Sequence, residues 1–247
     1  MLLQVVFATI PLIIITLILK ERLINKRVIN ILFYEVIAYL LVLIYTIVYI
    51  NYINIGEFTL LGIILGNLIA KALPEELLKF AIIKKSKPKN EIDIIKNVLL
   101  TSAIFMFFEN YMYSKNGIIV GGYRIFTPVH LMTQMVMAHY MIKSYSENEN
   151  KKVKLKYSIL SVGVPIILHT LYNSIVNIIE EMGFIYLPIF IIILGIIMYI
   201  ITYKFAKKGI KEYSVNDNNE IEDKSISKTR IFIIVIFMLF WILTYKL

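Results

Sequence analysis

Apolar residues run in long blocks along this chain, and polar residues gather in the short intervals between the blocks. A bilayer core of about 30 Å needs roughly 20 apolar residues per helical span. Eight blocks meet or approach that length, at about residues 2–19, 30–50, 58–83, 92–113, 125–142, 157–179, 184–205 and 230–246. They predict an all-α fold, a polytopic bundle of transmembrane helices forming one integral membrane domain over residues 1–247. The first block has no basic leading region and no small-residue cleavage site, so it reads as a retained span. No repeat of 20–50 residues is visible, and no duplicated half-helix pattern suggests an inverted-repeat transporter.

Basic residues orient such a bundle, because Lys and Arg are retained in cytoplasmic loops. Lys20, Arg22, Lys26 and Arg27 follow the first span, and Lys84, Lys85, Lys87, Lys89 and Lys96 follow the third. Lys143, Lys151, Lys152, Lys154 and Lys156 follow the fifth, and seven more between Lys204 and Arg230 follow the seventh. These alternate loops hold 21 of the 26 basic residues, whereas the opposite side holds Lys115, Arg124 and Lys246. Both termini are therefore expected outside. The loop at about 206–229 is expected in the cytoplasm as a flexible connection, since its stretch EYSVNDNNEIEDKSISKT is polar and mixed in charge.

Composition sharpens this reading. The chain is 59% hydrophobic and 17% charged, with mean hydropathy +0.75. A soluble domain is about 45–50% apolar and about 25% charged, so a soluble reading is excluded. The absence of cysteine excludes a disulfide scaffold, a thiol nucleophile and a thiolate metal site. The net charge of +9 invites a nucleic-acid partner. Its placement in alternate loops assigns it to topology instead, and the expected partners are the lipid bilayer and a membrane-embedded protein.

An ionisable side chain inside a span costs at least ~2.5–3.5 kcal/mol, so each one calls for a reason. Span 3 carries Lys71, Glu75, Glu76 and Lys79; span 4 carries Glu109 and Asn110. Span 5 carries His130 and His139, with Arg124 at its entrance, and span 6 carries His169 and Asn173. Span 2 has Glu35 near its cytoplasmic end. Glu75 and Lys79 are i,i+4 and share a helix face, so Lys79 is expected to neutralise Glu75. Glu76, about 100° away, is free for another partner. Pro74 withdraws an N–H, freeing a carbonyl one turn back. His169 and Asn173 are again i,i+4. Residue counting at 1.5 Å per residue puts Glu109, His130 and His169 roughly 20 Å from the cytoplasmic face, and Glu75 and Glu76 about 13 Å. His139, beside Lys143, reads as structural, and Met132, Met135, Met137 and Met141 read as packing.

These residues fall into motifs. Glu75-Glu76-Leu77-Leu78-Lys79 resembles the EExxK motif of the PrsW family of intramembrane proteases. Phe108-Glu109-Asn110-Tyr111-Met112-Tyr113 resembles its FExxxY motif. Arg124 followed by His130, with small Ala138 eight residues on, resembles its third motif, and His169-Thr170-Leu171-Tyr172-Asn173 its fourth, HxxxD or HxxxN. The resemblance covers about residues 66–180, within a motif-bearing core of about 58–180. Ala138 stands where the family more usually has Gly. The wider group includes CAAX-prenyl proteases and bacteriocin-processing enzymes, and also noncatalytic relatives.

The resemblance implies a glutamic-type intramembrane endopeptidase of the cell membrane. Its substrate would be a single-span membrane protein such as an anti-sigma factor. Glu75 and Glu76 would supply the base that activates water; His169 and Asn173 would polarise the carbonyl and hold the oxyanion. His130 and Glu109 would position water or protonate the leaving amine, with Lys79 and Arg124 in support. No cofactor is expected on this reading. The rival is one zinc ion, with Glu76, Glu109, His130 and His169 as candidate ligands, although no HExxH signature is present. Two readings from other classes are a proton-coupled transporter and a noncatalytic scaffold or immunity protein. Cleavage of a co-expressed membrane substrate, ion flux in liposomes, or neither, separates the three.

Overall fold

The structure, a computed structural model, describes residues 26–52, 59–114, 129–146 and 150–181, with isolated residues at 13, 15, 193, 195–198, 200 and 204. Arg124, the loop at 206–229 and the span expected at 230–246 lie outside the described residues. The chain divides into two compact units, Met1–Gly209 and Ile210–Leu247. Every described residue belongs to the first.

Among the described residues the fold is all-helical. Helix α1 spans Lys26–Tyr52. Helix α2 (Leu60–Gly66) continues through a π-helical segment (Asn67–Ala72) into α3 (Leu73–Lys85). Helices α4 (Glu91–Ser114), α5 (Val129–Ser146) and α6 (Lys151–Glu181) follow. Helix α5 packs against α4 and α6; α6 runs along α2, the π-helical segment and α3, and α1 covers α3 and α4.

Local chemistry sets the helix ends. The Thr59 hydroxyl accepts from the N–H of Gly62 at 3.0 Å, capping α2. Asn90 caps α4 through the N–H of Asp93 (2.8 Å), and Asn150 caps α6 through the N–H groups of Lys152 and Val153. Lys87, at φ 49°, takes the left-handed conformation just beyond α3, which lets the chain turn toward α4. The Ala70 carbonyl, in the π-helical segment just ahead of Pro74, accepts from the Thr46 hydroxyl of α1 at 3.4 Å, and that segment places its widened turn next to the proline ring.

Polarity is inverted relative to a water-soluble protein. Phe33, Leu40, Ile44, Ile159 and Ile167 are exposed, while Glu35, Glu76, Lys79, Thr101, Ser102, Thr133 and Gln134 are wholly buried. An apolar exterior around an interior that shelters polar side chains is what a hydrocarbon solvent demands. The helices containing Ile29–Tyr49 and Lys151–Ile178 are long and apolar enough to cross a membrane by length and composition.

Candidate active site

Helices α3, α4, α5 and α6 each bring one motif to a common interior point. The two depths expected from residue counting merge into one. Asn97 of α4 donates to Ser86, the C-cap of α3, at 2.7 Å. The first turns of α4 therefore extend past the end of α3, and counting from its start overstates the depth of Glu109. Measured from the Asn97–Ser86 contact, Glu109 is twelve residues along α4 and Glu75 eleven along α3, so they come level.

Glu76 is the hub. Its Oε1 accepts from Lys79 Nζ (3.0 Å) and from His169 Nδ1 (3.0 Å), with the Thr133 hydroxyl at 3.4 Å. Its Oε2 accepts from Gln134 Nε2 at 2.9 Å. Both oxygens are thus committed to donors. Lys79 makes the expected i,i+4 ion pair with Glu75 at 3.7 Å and a closer one with Glu76 at 3.0 Å. The i,i+3 partner is as much a helix neighbour as the i,i+4 one, and His169 and Gln134 hold Glu76 in place from behind. Glu75 presents the opposite case. Its Oε2 is buried without a hydrogen bond, 3.9 Å from His169 Nε2.

The histidines differ in state. A carboxylate only accepts, so His169 donates to Glu76 from Nδ1, and its Nε2 faces Glu75. His130 Nδ1 lies 2.8 Å from Lys79 Nζ, and its Nε2 contacts Glu109 Oε2. The two imidazoles stand edge to face with centroids 5.0 Å apart, and the Phe105 ring closes the site beside His130 and under the Lys79 ammonium.

One ligand atom from each of Glu75, His130 and His169 lies within 4.8 Å of the others, and all three residues are buried. Two histidines and a glutamate form a donor set that catalytic zinc uses, leaving a position for water. The His169 Nδ1–Glu76 hydrogen bond is the second-shell carboxylate that orients a ligating histidine. Glu75, Glu76 and Glu109 outnumber the Lys79 ammonium around this point, an acidic surplus that suits a cation. The residues fit a metal. This candidate triad shares His130 and His169 with the zinc set expected from the sequence and has Glu75 where that set had Glu76 and Glu109.

Asn173 is buried on α6, one turn beyond His169. His139 is half-buried, stacked edge-on against Tyr140 and nine residues along α5 from His130, roughly 13 Å by helix rise. Sequence reasoning overlooked Gln134 and Thr133, which hold Glu76, and Tyr39, whose ring packs 6.0 Å from that of Phe105 beside the site. It also set Glu35 apart, yet Glu35 is completely buried and neither of its oxygens has a hydrogen-bond partner. The available signal was a polar residue within an apolar helix, which applies to Gln134 and Glu35 alike.

The sequence model of the family described as "PrsW family intramembrane metalloprotease" matches residues 27–201. No curated protein and no solved structure matches the chain significantly. The match spans helices α1 to α6 and every described residue of the polar cluster, and the chain belongs to the PrsW family of intramembrane proteases, membrane-embedded hydrolases.

Proposed function

We propose that this protein is a metal-dependent intramembrane endopeptidase, with Glu75, His130 and His169 holding one zinc ion. The observation that carries the reading is their buried convergence within 4.8 Å, with His169 already oriented by Glu76. A divalent ion there supplies a water activated at neutral pH and a Lewis acid for the peptide carbonyl. Glu76 keeps the His169 tautomer and ring orientation. Glu109, whose side chain is 16% exposed against 0–9% for Glu75 and Glu76, is the carboxylate that handles protons exchanged with substrate. Asn173 offers its amide to the developing oxyanion. Phe105 and the surrounding helices exclude bulk water from the polar cluster.

The metal-free glutamate mechanism is the second reading. It draws on Glu75 Oε2, a buried carboxylate oxygen without a hydrogen bond that faces the site and would act as the base. The same assay separates the two. Purified protein acting on co-expressed single-span membrane substrates should lose cleavage to a strong chelator and regain it with added Zn²⁺. Indifference to chelation overturns the metal reading in favour of the glutamate one. Absence of cleavage of every substrate by both the untreated and the zinc-loaded protein overturns both.

The surrounding architecture in this reading has eight spans, both termini outside and the basic loops in the cytoplasm, as a single multi-pass domain of the cell membrane. The substrate is a membrane-embedded protein with one span, of which an anti-sigma factor is an example.

A further inference from the structure

Lys79 is the bulkiest of the fully buried side chains among the described residues. Its ammonium touches the very groups that a metal would use. It lies 2.8 Å from His130 Nδ1, 3.0 Å from Glu76 Oε1 and 3.7 Å from Glu75 Oε2. An ammonium has only donors. His130 Nδ1 must therefore accept, and its ring proton sits on Nε2, directed at Glu109. In that arrangement neither nitrogen of His130 has a lone pair to give a metal. His169 is ready to ligate and His130 is not. A dication at the site would also repel the ammonium strongly in so dry an interior.

Lys79 has somewhere to go. Glu35 of α1 is wholly buried with both carboxyl oxygens unbonded. Ile31 and Ala38, one turn to either side of Glu35, belong to the same apolar cluster as Ile82 of α3 and Leu100 of α4. Glu35 therefore lies on the face of α1 that covers α3, toward Ile82, which stands three residues after Lys79. An unpaired buried carboxyl is costly, and a partner in a second state of the protein accounts for it.

We propose that Lys79 has two stations, His130 when the site holds no metal and Glu35 when metal is bound, so that Glu35 controls metal loading by receiving the displaced ammonium. The inference rests on the metal reading above. Withdrawal of Lys79 frees the His130 Nδ1 lone pair for a metal, while the ring keeps its Nε2 proton on Glu109.

The test is the affinity of the purified full-length protein for Zn²⁺, by calorimetry, and for Co²⁺, by its visible absorption. Glu35→Gln should weaken binding at least tenfold, and Glu35→Asp, which keeps the charge but withdraws the carboxylate, should weaken it similarly. Lys79→Gln should tighten binding at least tenfold, and in that background Glu35→Gln should change affinity less than twofold. Equal weakening by Glu35→Gln in both backgrounds, or wild-type affinity for Glu35→Asp, would mean that Glu35 acts only through its field, and overturns the proposal. If Lys79→Gln does not fold, the Glu35→Asp result decides. Metal binding by wild type that no Glu35 variant alters sinks the proposal and leaves the metal reading intact; no metal bound by wild type sinks both.

Discussion

Glu76 Oε1 and His169 Nδ1 are 3.0 Å apart, and this one contact divides the labour between two adjacent glutamates. It commits Glu76 to orienting the imidazole and leaves Glu75, one residue earlier, facing the open side of the ring. Glu75→Gln should therefore abolish stoichiometric zinc binding and lower activity at least ~10²-fold, since it removes a donor to the reacting centre. Glu76→Gln should weaken zinc binding by about 10–100-fold, the usual cost of a lost second-shell partner, and saturating zinc should restore one ion per chain. A zinc titration of both variants checks this; the reverse order would exchange the two roles.

The histidines offer a control within one helix. His130→Ala and His169→Ala should each bring bound zinc well below one per chain and lower activity on the order of 10²-fold. His139→Ala, at the other end of α5, should keep the metal content and activity of the wild type. Metal analysis of the three purified variants distinguishes them, and loss of zinc on His139→Ala would contradict the placement of α5.

Lys79→Met leaves Glu75 and Glu76 in the interior without their counter-ion. Breaking a buried ion pair from one side costs about 3–5 kcal/mol, so folding yield and thermal stability should fall in chelator. Added zinc returns positive charge to the same carboxylates and should recover much of that loss by mass action. Thermal unfolding with and without Zn²⁺ is the measurement. Equal destabilisation in both conditions would mean that Lys79 and the metal do not share partners.

The Thr46 hydroxyl donates to the Ala70 carbonyl four residues ahead of Pro74, a residue with no N–H to offer the helix behind it. Thr46→Val should cost about 0.6 kcal/mol, typical of an interhelical hydrogen bond in a membrane protein. In a Pro74→Ala background, where the N–H of residue 74 can serve the carbonyl, the same change should cost nearly nothing. Unfolding free energies of the double-mutant cycle report the coupling, and identical costs in both backgrounds would break the link between Pro74 and Thr46.

Topology is open to reporters. A reporter active only in the cytoplasm should be silent after Leu247 and active in the loop at 147–150. The reverse pattern would overturn the orientation taken from the basic loops.

The apolar helices and the buried polar residues were legible in the chain for different reasons. A hydrocarbon solvent taxes every exposed polar group, so α1 and the helices after it announce themselves as apolar runs, and Glu75, Glu76, Glu109, His130 and His169 stand out as exceptions. Sequence spacing placed His169 and Asn173 on one face because helical periodicity is local. Spacing could not rank Glu75 against Glu76 as the partner of Lys79, since i,i+3 and i,i+4 are both neighbours on a helix.

What the sequence alone determined was which side chains had to be sheltered from lipid and on which helices they stood. Only the tertiary structure decided who faces whom. The offset between α3 and α4, set at the Asn97–Ser86 contact, brings Glu109 level with Glu75. Gln134 and His169, 58 and 93 residues from Glu76 along the chain, saturate that carboxylate and so turn Glu75 toward the reacting space. Lys79 reaches His130 across 51 residues and fixes its tautomer. Helix register and interhelical hydrogen bonds are relations between distant segments, and local spacing carries no record of them.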